Sequence, residues 1–428
     1  MGLNISLSGL KAAQVGLDVT SHNIANVQTP NYQRQLVSLK TMSYNSGSPH
    51  IPSGSGVAIG NIYNASNPIL NSQYSKSLSN SSEYKTLSNS VNSIQKILDN
   101  PELNLSKAMQ NTYNAFQDLA NNPTSLSARQ TALESAQAFI DKSAALMKEL
   151  SSTKYSVTDN YKNSADSINS LVKSLATVNE HINQTGNNPN PNLSAQKETL
   201  ILDLSKLSGI EVSNNGKTII TTSGKLLLTE SSVHEINDKD IPNINGGSIG
   251  AKNKIISNVL NPILDQLPKL AEQLAEEINK QLNEGYDLNG NPGKEIFNIS
   301  SNNNPNLSLN INDPRDLAAA SFSNAVADGS NAQKISDLRN TLFNGQTFQQ
   351  QYSNLVSSID NNAQKYKEME TAYTNISDNI YSEIQSVSGV NLDEEAVNLI
   401  KYQHLYQANA KALKVQEELF GTLINTIS

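Results

Sequence analysis

"GLNISLSGLKAAQVGLDVTSHNIAN" runs from Gly2 to Asn26, and its reading decides the fold. Leu3, Leu7, Leu10, Leu17 and Ile24 recur at spacings of three, four and seven, with Gln14 and Ser21 in the intervening positions. Apolar residues at that period line one face of a slightly underwound helix, which is the pattern of a coiled-coil seam. The far end of the chain keeps the same period in Leu399, Tyr402, Tyr406, Leu413, Phe420, Ile424 and Ile427. Both extremities are therefore predicted as seam helices.

Moving inward, the theme repeats. Tyr84, Leu87, Val91, Ile94 and Leu98 form one seam; Leu126, Leu133, Ala136, Ile140, Met147 and Leu150 form another. Tyr161, Ile168, Leu171, Leu175, Val178 and Ile182 form a third. The longest places Tyr352, Ile359, Tyr366, Tyr373, Ile380 and Val387 at one heptad position, with Leu355, Met369 and Ile376 at the other, and predicts a rod-like helix. A helix over about 252–284 carries Pro262 and Pro268, which are expected to break or kink its start. Strand signals are confined: residues 209–237 read as short strands joined by Asn215-Gly216 and Ser223-Gly224 turns, and "LVSLK" (36–40) alternates like a strand. Residues 285–314 are rich in Asn, Pro and Gly and read as loop. Asn391 is placed to cap the last helix, with Glu394 three residues on completing a capping box. Ser388-Gly389 supplies the break before it. The fold class is mainly α: a long antiparallel, coiled-coil-like bundle formed by the N- and C-terminal segments, with a small inserted β-hairpin region.

The bulk numbers exclude several classes. The 428 residues carry a formal net charge of -8 with 16% charged residues, so no basic stripe points to nucleic acid. There is no cysteine, which removes disulfides and thiolate metal sites and suits a secreted protein. No apolar run reaches the roughly 20 residues a membrane span needs. The start lacks the basic and apolar regions of a cleaved secretory signal, so export is expected by a route that keeps the N-terminus. Met1-Gly2 with Ser6 fits a myristoylation motif, but no other feature has a eukaryotic character.

Candidate chemistry is sparse. The five histidines, at 22, 50, 181, 234 and 404, form no ligand spacing. "DLNGNPGKEIFN" from Asp287 opens like a calcium loop but has Pro292 at the sixth position and Asn298 at the twelfth, and reads as a turn. The glycine-rich stretches around 52–60 and 246–252 match no phosphate loop and read as flexible turns. Glu276-Glu277 and Glu394-Glu395 are adjacent, so neither pair converges as an acid/base couple. No catalytic residue, cofactor site or metal site is predicted, and the chain reads as no enzyme.

What remains is "IANVQTPNYQRQ" (24–35), where a seam helix ends in a turn. Pro30 restricts Thr29 to extended backbone and stops helix propagation. Tyr32 and Arg34 project beyond it, either to reach a neighbouring subunit or to brace the turn within the chain. Ala25, Asn26, Thr29, Pro30 and Tyr32 resemble the Ala-Asn-x-x-Thr-Pro-Gly-Tyr signature of bacterial flagellar rod, hook and hook-associated proteins, with Asn31 in place of Gly. Asn tolerates the same left-handed backbone. Tyr406 to Ala410 match the Tyr-Gln-Ala-Asn-Ala of the same family. "SGVNLDEEA" from Ser388, "FQDLANNPTSLSARQ" (116–130) and "LNEGYDLNGNPGKEIF" (282–297) resemble its hook–filament junction branch, so the resemblance covers nearly the whole chain.

That resemblance implies a structural protein of the flagellum, exported by the flagellar type III apparatus without a cleaved signal and lying outside the cell. It implies polymerisation through the terminal helices, in contact with its own copies in a ring, the hook protein, a second junction protein, the filament cap during growth, and an export chaperone at residues 392–428. A hook or rod axial subunit is the nearest alternative; an exported hydrolase or an adhesin is more remote. The expected assembly residues are Leu7, Leu10, Leu17, Ile24, Asn26, Pro30, Tyr32, Arg34, Leu399, Tyr406, Asn409, Leu413, Phe420 and Ile424. The expected domains are 1–45 with 388–428 as the terminal assembly domain, 46–208 with 250–387 as a helical rod-like body, and 209–249 as a β-hairpin region. Relatives carry an outer β domain before "INDPRDLAAAS" (311–321) that a short loop at 298–311 replaces here. The ends are expected to be loose in the monomer and to order against neighbouring subunits.

Overall fold

Asparagine and serine side chains open five of the helices. In the computed structural model, which describes residues 2–29, 32–42, 56–185, 190–300 and 306–427, the first helix is α1 (Gly2–Ala25). An antiparallel ribbon follows, β1 (Gln35–Thr41) on β2 (Val57–Asn64). Asn67 then accepts the Ile69 backbone N–H, and Pro68 sits at the first position of α2 (Pro68–Leu98). Asn104 caps α3 (Leu105–Asn121) through the Lys107 N–H, and Ser125 caps α4 (Leu126–Asp159) through that of Ala128. After α5 (Tyr161–Gln184), Asn190 and Pro191 open α6 (Pro191–Leu207). A meander of four short strands comes next: β3 (Ile210–Ser213), β4 (Thr218–Thr221), β5 (Leu226–Thr229) and β6 (Ser232–Val233), paired in that order.

The second half contains α7 (Gly247–Ile255), a π-helical turn at Ile256–Leu260, and α8 (Asn261–Asn283). It continues through the hairpin of β7 (Phe297–Ser300) and β8 (Asn306–Leu309), α9 (Ser330–Asp337), α10 (Phe348–Ser388) and α11 (Leu392–Ile427). At 41 residues, α10 is about 60 Å long. The protein is mainly helical, with long helices paired antiparallel and small antiparallel sheets, as the heptads predict. No helix among the described residues is long and apolar enough to cross a membrane.

Several local expectations change. Pro262 interrupts the regular helix without ending it, since the π turn widens the backbone just ahead of a ring that has no N–H, whereas Pro268 lies within α8. The glycine-rich stretch around 52–60 contributes Val57 to Gly60 to strand β2, and the one around 246–252 starts α7. Within 285–314, Phe297 and Ile299 pair with Leu309 and Leu307 across β7 and β8, an alternation short enough to be hidden by the surrounding asparagines.

The chain divides into two compact units. Residues 1–83, 163–250 and 372–428 form the first; residues 84–162 and 251–371 form the second. In the second unit, α3, α4, α8, α9 and the unit's parts of α2 and α10 enclose one apolar core that includes Phe116, Phe139, Phe297 and Phe348, all fully buried. Arg129 lies inside this unit, 1% exposed. Its Nε donates to the Pro123 carbonyl at 2.8 Å and its Nη1 donates to that of Leu317, tying the α3–α4 link to the segment before α9. Asp287 is buried as a turn brace: one carboxylate oxygen accepts the backbone N–H groups of Asn289 and Asn291, each at 2.8 Å. Replacing Arg129 by Met should leave two buried carbonyls without donors and cost on the order of 3 kcal/mol. A urea-unfolding midpoint unchanged from the parent would contradict that role.

Candidate assembly site

α1 and α11 pair antiparallel in one unit, and their contact does not use the leucine stripe. Gly2 lies against Gln416, Gly9 against Asn409 and Gly16 against Tyr402, so each step of seven along α1 meets a step of seven back along α11. Ser6, Ala13, Thr20 and Asn23 fill the same α1 face between and beyond the glycines, and all four are buried. Small side chains at every seam position let the two backbones approach closely. A side chain at Gly16 would overlap the Tyr402 ring, which, unlike the ends of Gln416 and Asn409, has little freedom to swing away.

A second face of α1 meets the β1–β2 ribbon. The Ser8 hydroxyl accepts the Val57 N–H at 3.1 Å, and Ala12 and Val19 are buried. The leucines sit on a third. Leu3, Leu7, Leu10, Leu17 and Ile24 each follow a seam residue by one position, about 100° around the helix. Leu7 is 39% exposed; Leu10, Leu17 and Ile24 are half-buried. On α11, Leu399 and Leu413 are half-buried and Asn409 faces Gly9, while Tyr406, Phe420 and Ile424 are exposed, Phe420 at 64%. α1 begins opposite Gln416, so the last ten or so residues of α11, including Leu419, Phe420, Leu423 and Ile424, run on with no α1 turn beside them.

The turn after α1 is anchored at the base of this pair. Asn23 is 1% exposed and holds Gln35 from both sides: its Nδ2 donates to the Gln35 carbonyl at 3.0 Å and its Oδ1 accepts the Gln35 N–H at 2.9 Å. The same Oδ1 accepts the Tyr32 hydroxyl at 2.8 Å. The Arg34 N–H donates to the Ser388 carbonyl at 2.8 Å, and its guanidinium pairs with Glu394 at the start of α11. Asn391 caps α11 by accepting the Asp393 N–H, but Glu394 is engaged by Arg34 rather than turned back as the second half of a capping box. Asn26 makes only local bonds, to His22 and Thr29, and Pro30 lies outside the described residues.

Sequence reading missed Asn23, the residue on which the turn converges. Its only signal was a polar residue falling in register with the glycines. It also missed Glu395, buried at 2% exposure one heptad step before Tyr402. Burial, and secondarily the Glu395 charge, pushes the Tyr32 hydroxyl up to about 12. Beside this cluster lies an open polar cleft of about 440 Å³, lined in part by Thr29, Tyr32, Arg34, Gln385 and Asn391. Among the described residues no group of histidines and carboxylates could hold a metal ion.

Paired terminal helices, a braced turn and exposed apolar side chains at the ends of both helices give the class of a mainly helical protein with surface left for partners. The profile described as "Flagellar hook-associated protein FlgK helical domain" matches residues 91–243 and 235–297. "Flagellar basal body rod FlgEFG protein C-terminal" matches 382–426, and "Flagella basal body rod protein" matches 3–33. Flagellar hook-associated protein 1 of Salmonella typhimurium is 25% identical over 548 positions, covering 99% of each chain. The Bacillus subtilis protein of that name is 23% identical over 497 positions, covering 99% of this chain and 98% of the relative. The flagellar hook junction protein FlgK from Burkholderia pseudomallei shares the fold at a TM-score of 0.66 and 17% identity, over 74% of this chain and all of that one. The chain belongs to the flagellar hook-associated protein 1 family, whose members are structural rather than enzymatic.

Two outcomes test this geometry. Alanine in place of glycine ordinarily gains about 1 kcal/mol inside a helix. Gly16→Ala should instead accelerate hydrogen exchange across α1, and slower exchange would contradict the close-packed seam. Because folding holds the Tyr32 proton up to about 12, this group's contribution to stability is full below pH 10 and is lost as pH rises from 10 to 12. Tyr32→Phe should therefore lose less stability than the parent over that window in urea titrations; equal losses would contradict the buried hydroxyl.

Proposed function

We propose that this chain is an extracellular structural subunit of the bacterial flagellum that joins hook to filament, polymerising through α1 and α11. One observation carries the reading. α11 has 36 residues; among those whose burial is described only Glu395 is buried, while ten large apolar side chains along it are 39–65% exposed. Covering that surface would return on the order of 10 kcal/mol before ordering costs. A helix of this length with so little cover in its own chain is built for partners. The N-terminal end of the α1 leucine stripe, Leu3 at 44% and Leu7 at 39% exposed, adds a smaller surface of the same kind, while Leu10, Leu17 and Ile24 are half-buried.

In this reading Leu7, Leu10, Leu17 and Ile24 on α1, and Leu399, Tyr406, Leu413, Phe420 and Ile424 on α11, meet neighbouring copies. Asn409 belongs to the intramolecular seam. Arg34 braces the joint between α10 and α11 and, with Tyr32, lines the polar cleft beside it, while Asn26 holds the end of α1 through His22 and Thr29. The neighbours are further copies in a ring, the hook protein, the second junction protein and, during growth, the filament cap; an export chaperone takes the α11 surface before assembly. The first unit carries the assembly surfaces and the second serves as the stable body. The alignment with the Salmonella relative runs over 548 positions against 428 residues here, which supports a trimmed outer domain, with the β7–β8 hairpin closing its place.

The deciding experiment replaces the gene in a flagellated host. Cells lacking the protein should make hooks without filaments and shed filament protein. Leu7→Ser with Leu17→Ser, or Phe420→Ser with Ile424→Ser, should reproduce that loss while the purified variants keep their helical content. Normal filaments on both variants would overturn the assembly reading.

A further inference from the structure

The two units have interiors of different chemistry. Every member of the large apolar core lies in the second unit, together with all four buried phenylalanines and the one buried methionine, Met109. The first unit has a smaller apolar cluster where α5 and α6 meet the four-stranded sheet, including Ile168, Leu175, Leu204 and Leu228. Elsewhere its buried positions are largely serine and amide. Ser75, Ser77 and Ser79 of α2, Ser205 and Ser208 at the end of α6, and Ser377 of α10 are all buried. Ser75 and Ser205 share a hydrogen bond of 2.5 Å, while the buried Ser77 and Ser208 hydroxyls have no hydrogen-bond partner, a state the second unit shares at the Tyr113 hydroxyl and the Gln349 Oε1.

Opening free energy follows this chemistry. Apolar side chains gain stability in proportion to the area they remove from water, and a buried serine removes little. A buried hydroxyl without a partner works against folding outright. Proteins open in contiguous cooperative blocks whose stabilities range from near zero to the global value. A unit whose aliphatic cluster is the smaller, whose α2, α6 and α10 also bury serines, and whose α11 is almost uncovered therefore belongs at the low end, and a unit with a close-packed phenylalanine and leucine core at the high end.

We infer that the chain opens in two steps: the first unit unfolds as a sub-global block under conditions in which the second remains folded. The device gives the subunit one half that can re-order and one half that keeps its shape. That the soft half also carries the assembly surfaces rests on the function proposed above; the order of opening does not.

Hydrogen exchange of the full-length monomer, followed by mass spectrometry in rising sub-denaturing urea, tests it. Amides in 105–121, 132–150 and 263–282 should be the slowest. Those in 68–83, 195–207 and 372–388 should exchange at least about tenfold faster and lose protection at lower urea. Ser77→Ala, which removes an unpaired buried hydroxyl, should slow exchange in the first unit alone. Ile140→Val, a mild change in the second core, should speed exchange there and leave the earlier opening of the first unit where it was. Protection lost together in both units, or a response of both units to either variant, would overturn the inference. Normal flagella with failed two-step opening would remove this proposal and leave the assembly reading intact; ordered two-step opening with normal filaments on the stripe variants would do the reverse.

Discussion

Everything in the terminal region depends on how closely α1 and α11 can approach. Helices packed through leucines stand well apart, and the side chains between them supply the stability. Here the seam positions of α1 are Gly2, Ser6, Gly9, Ala13, Gly16, Thr20 and Asn23, and the residues opposite the glycines are Gln416, Asn409 and Tyr402. Such a seam fixes register by fit, since a ring or an amide enters each space that a missing side chain leaves. It removes little apolar area from water. The leucine face of α1 is thereby left out of the seam: Leu3 and Leu7 are exposed, and Leu10, Leu17 and Ile24 are half-buried. In the assembly we propose, this division matters: the chain pairs its own ends with small residues and keeps its leucines for neighbours.

The seam ends in polar bonds that a small-residue contact needs in order to hold one register. Asn23 spends its amide on both main-chain groups of Gln35 and on the Tyr32 hydroxyl. From the same turn, Arg34 reaches the last carbonyl of α10 and a carboxylate in the first turn of α11. The opening of the chain is thus tied to the joint between its last two helices. A buried polar layer at one level of a helix pair excludes other registers, because sliding by a turn would strand its hydrogen-bonding groups.

Much of this was legible from spacing alone. The heptads at both ends, the hairpin turns at Asn215-Gly216 and Ser223-Gly224 and the Asn391 cap all express local rules, and each element lies where those rules put it. What spacing could not reveal was which of two stripes faces inward. On α1 the leucine stripe and the glycine stripe have the same period and are offset by one residue, and periodicity is blind to that offset. Strand β2 was obscured by the glycines before it, and β7 with β8 by asparagines around strands of only four residues. Asn23 was overlooked because its partners lie twelve and nine residues on, beyond a turn that local patterns do not resolve.

The account stands on the exposed start of the α1 leucine stripe, at Leu3 and Leu7, and the outer end of α11 being bare in the monomer and covered in the flagellum. With no cysteine in the chain, a single introduced thiol can carry a spin label without background. Labels at Leu7→Cys and Leu419→Cys should give mobile spectra in the purified monomer and strongly immobilised spectra once incorporated between hook and filament. A label at either position that stays mobile after incorporation, or is already immobilised in the monomer, would contradict it.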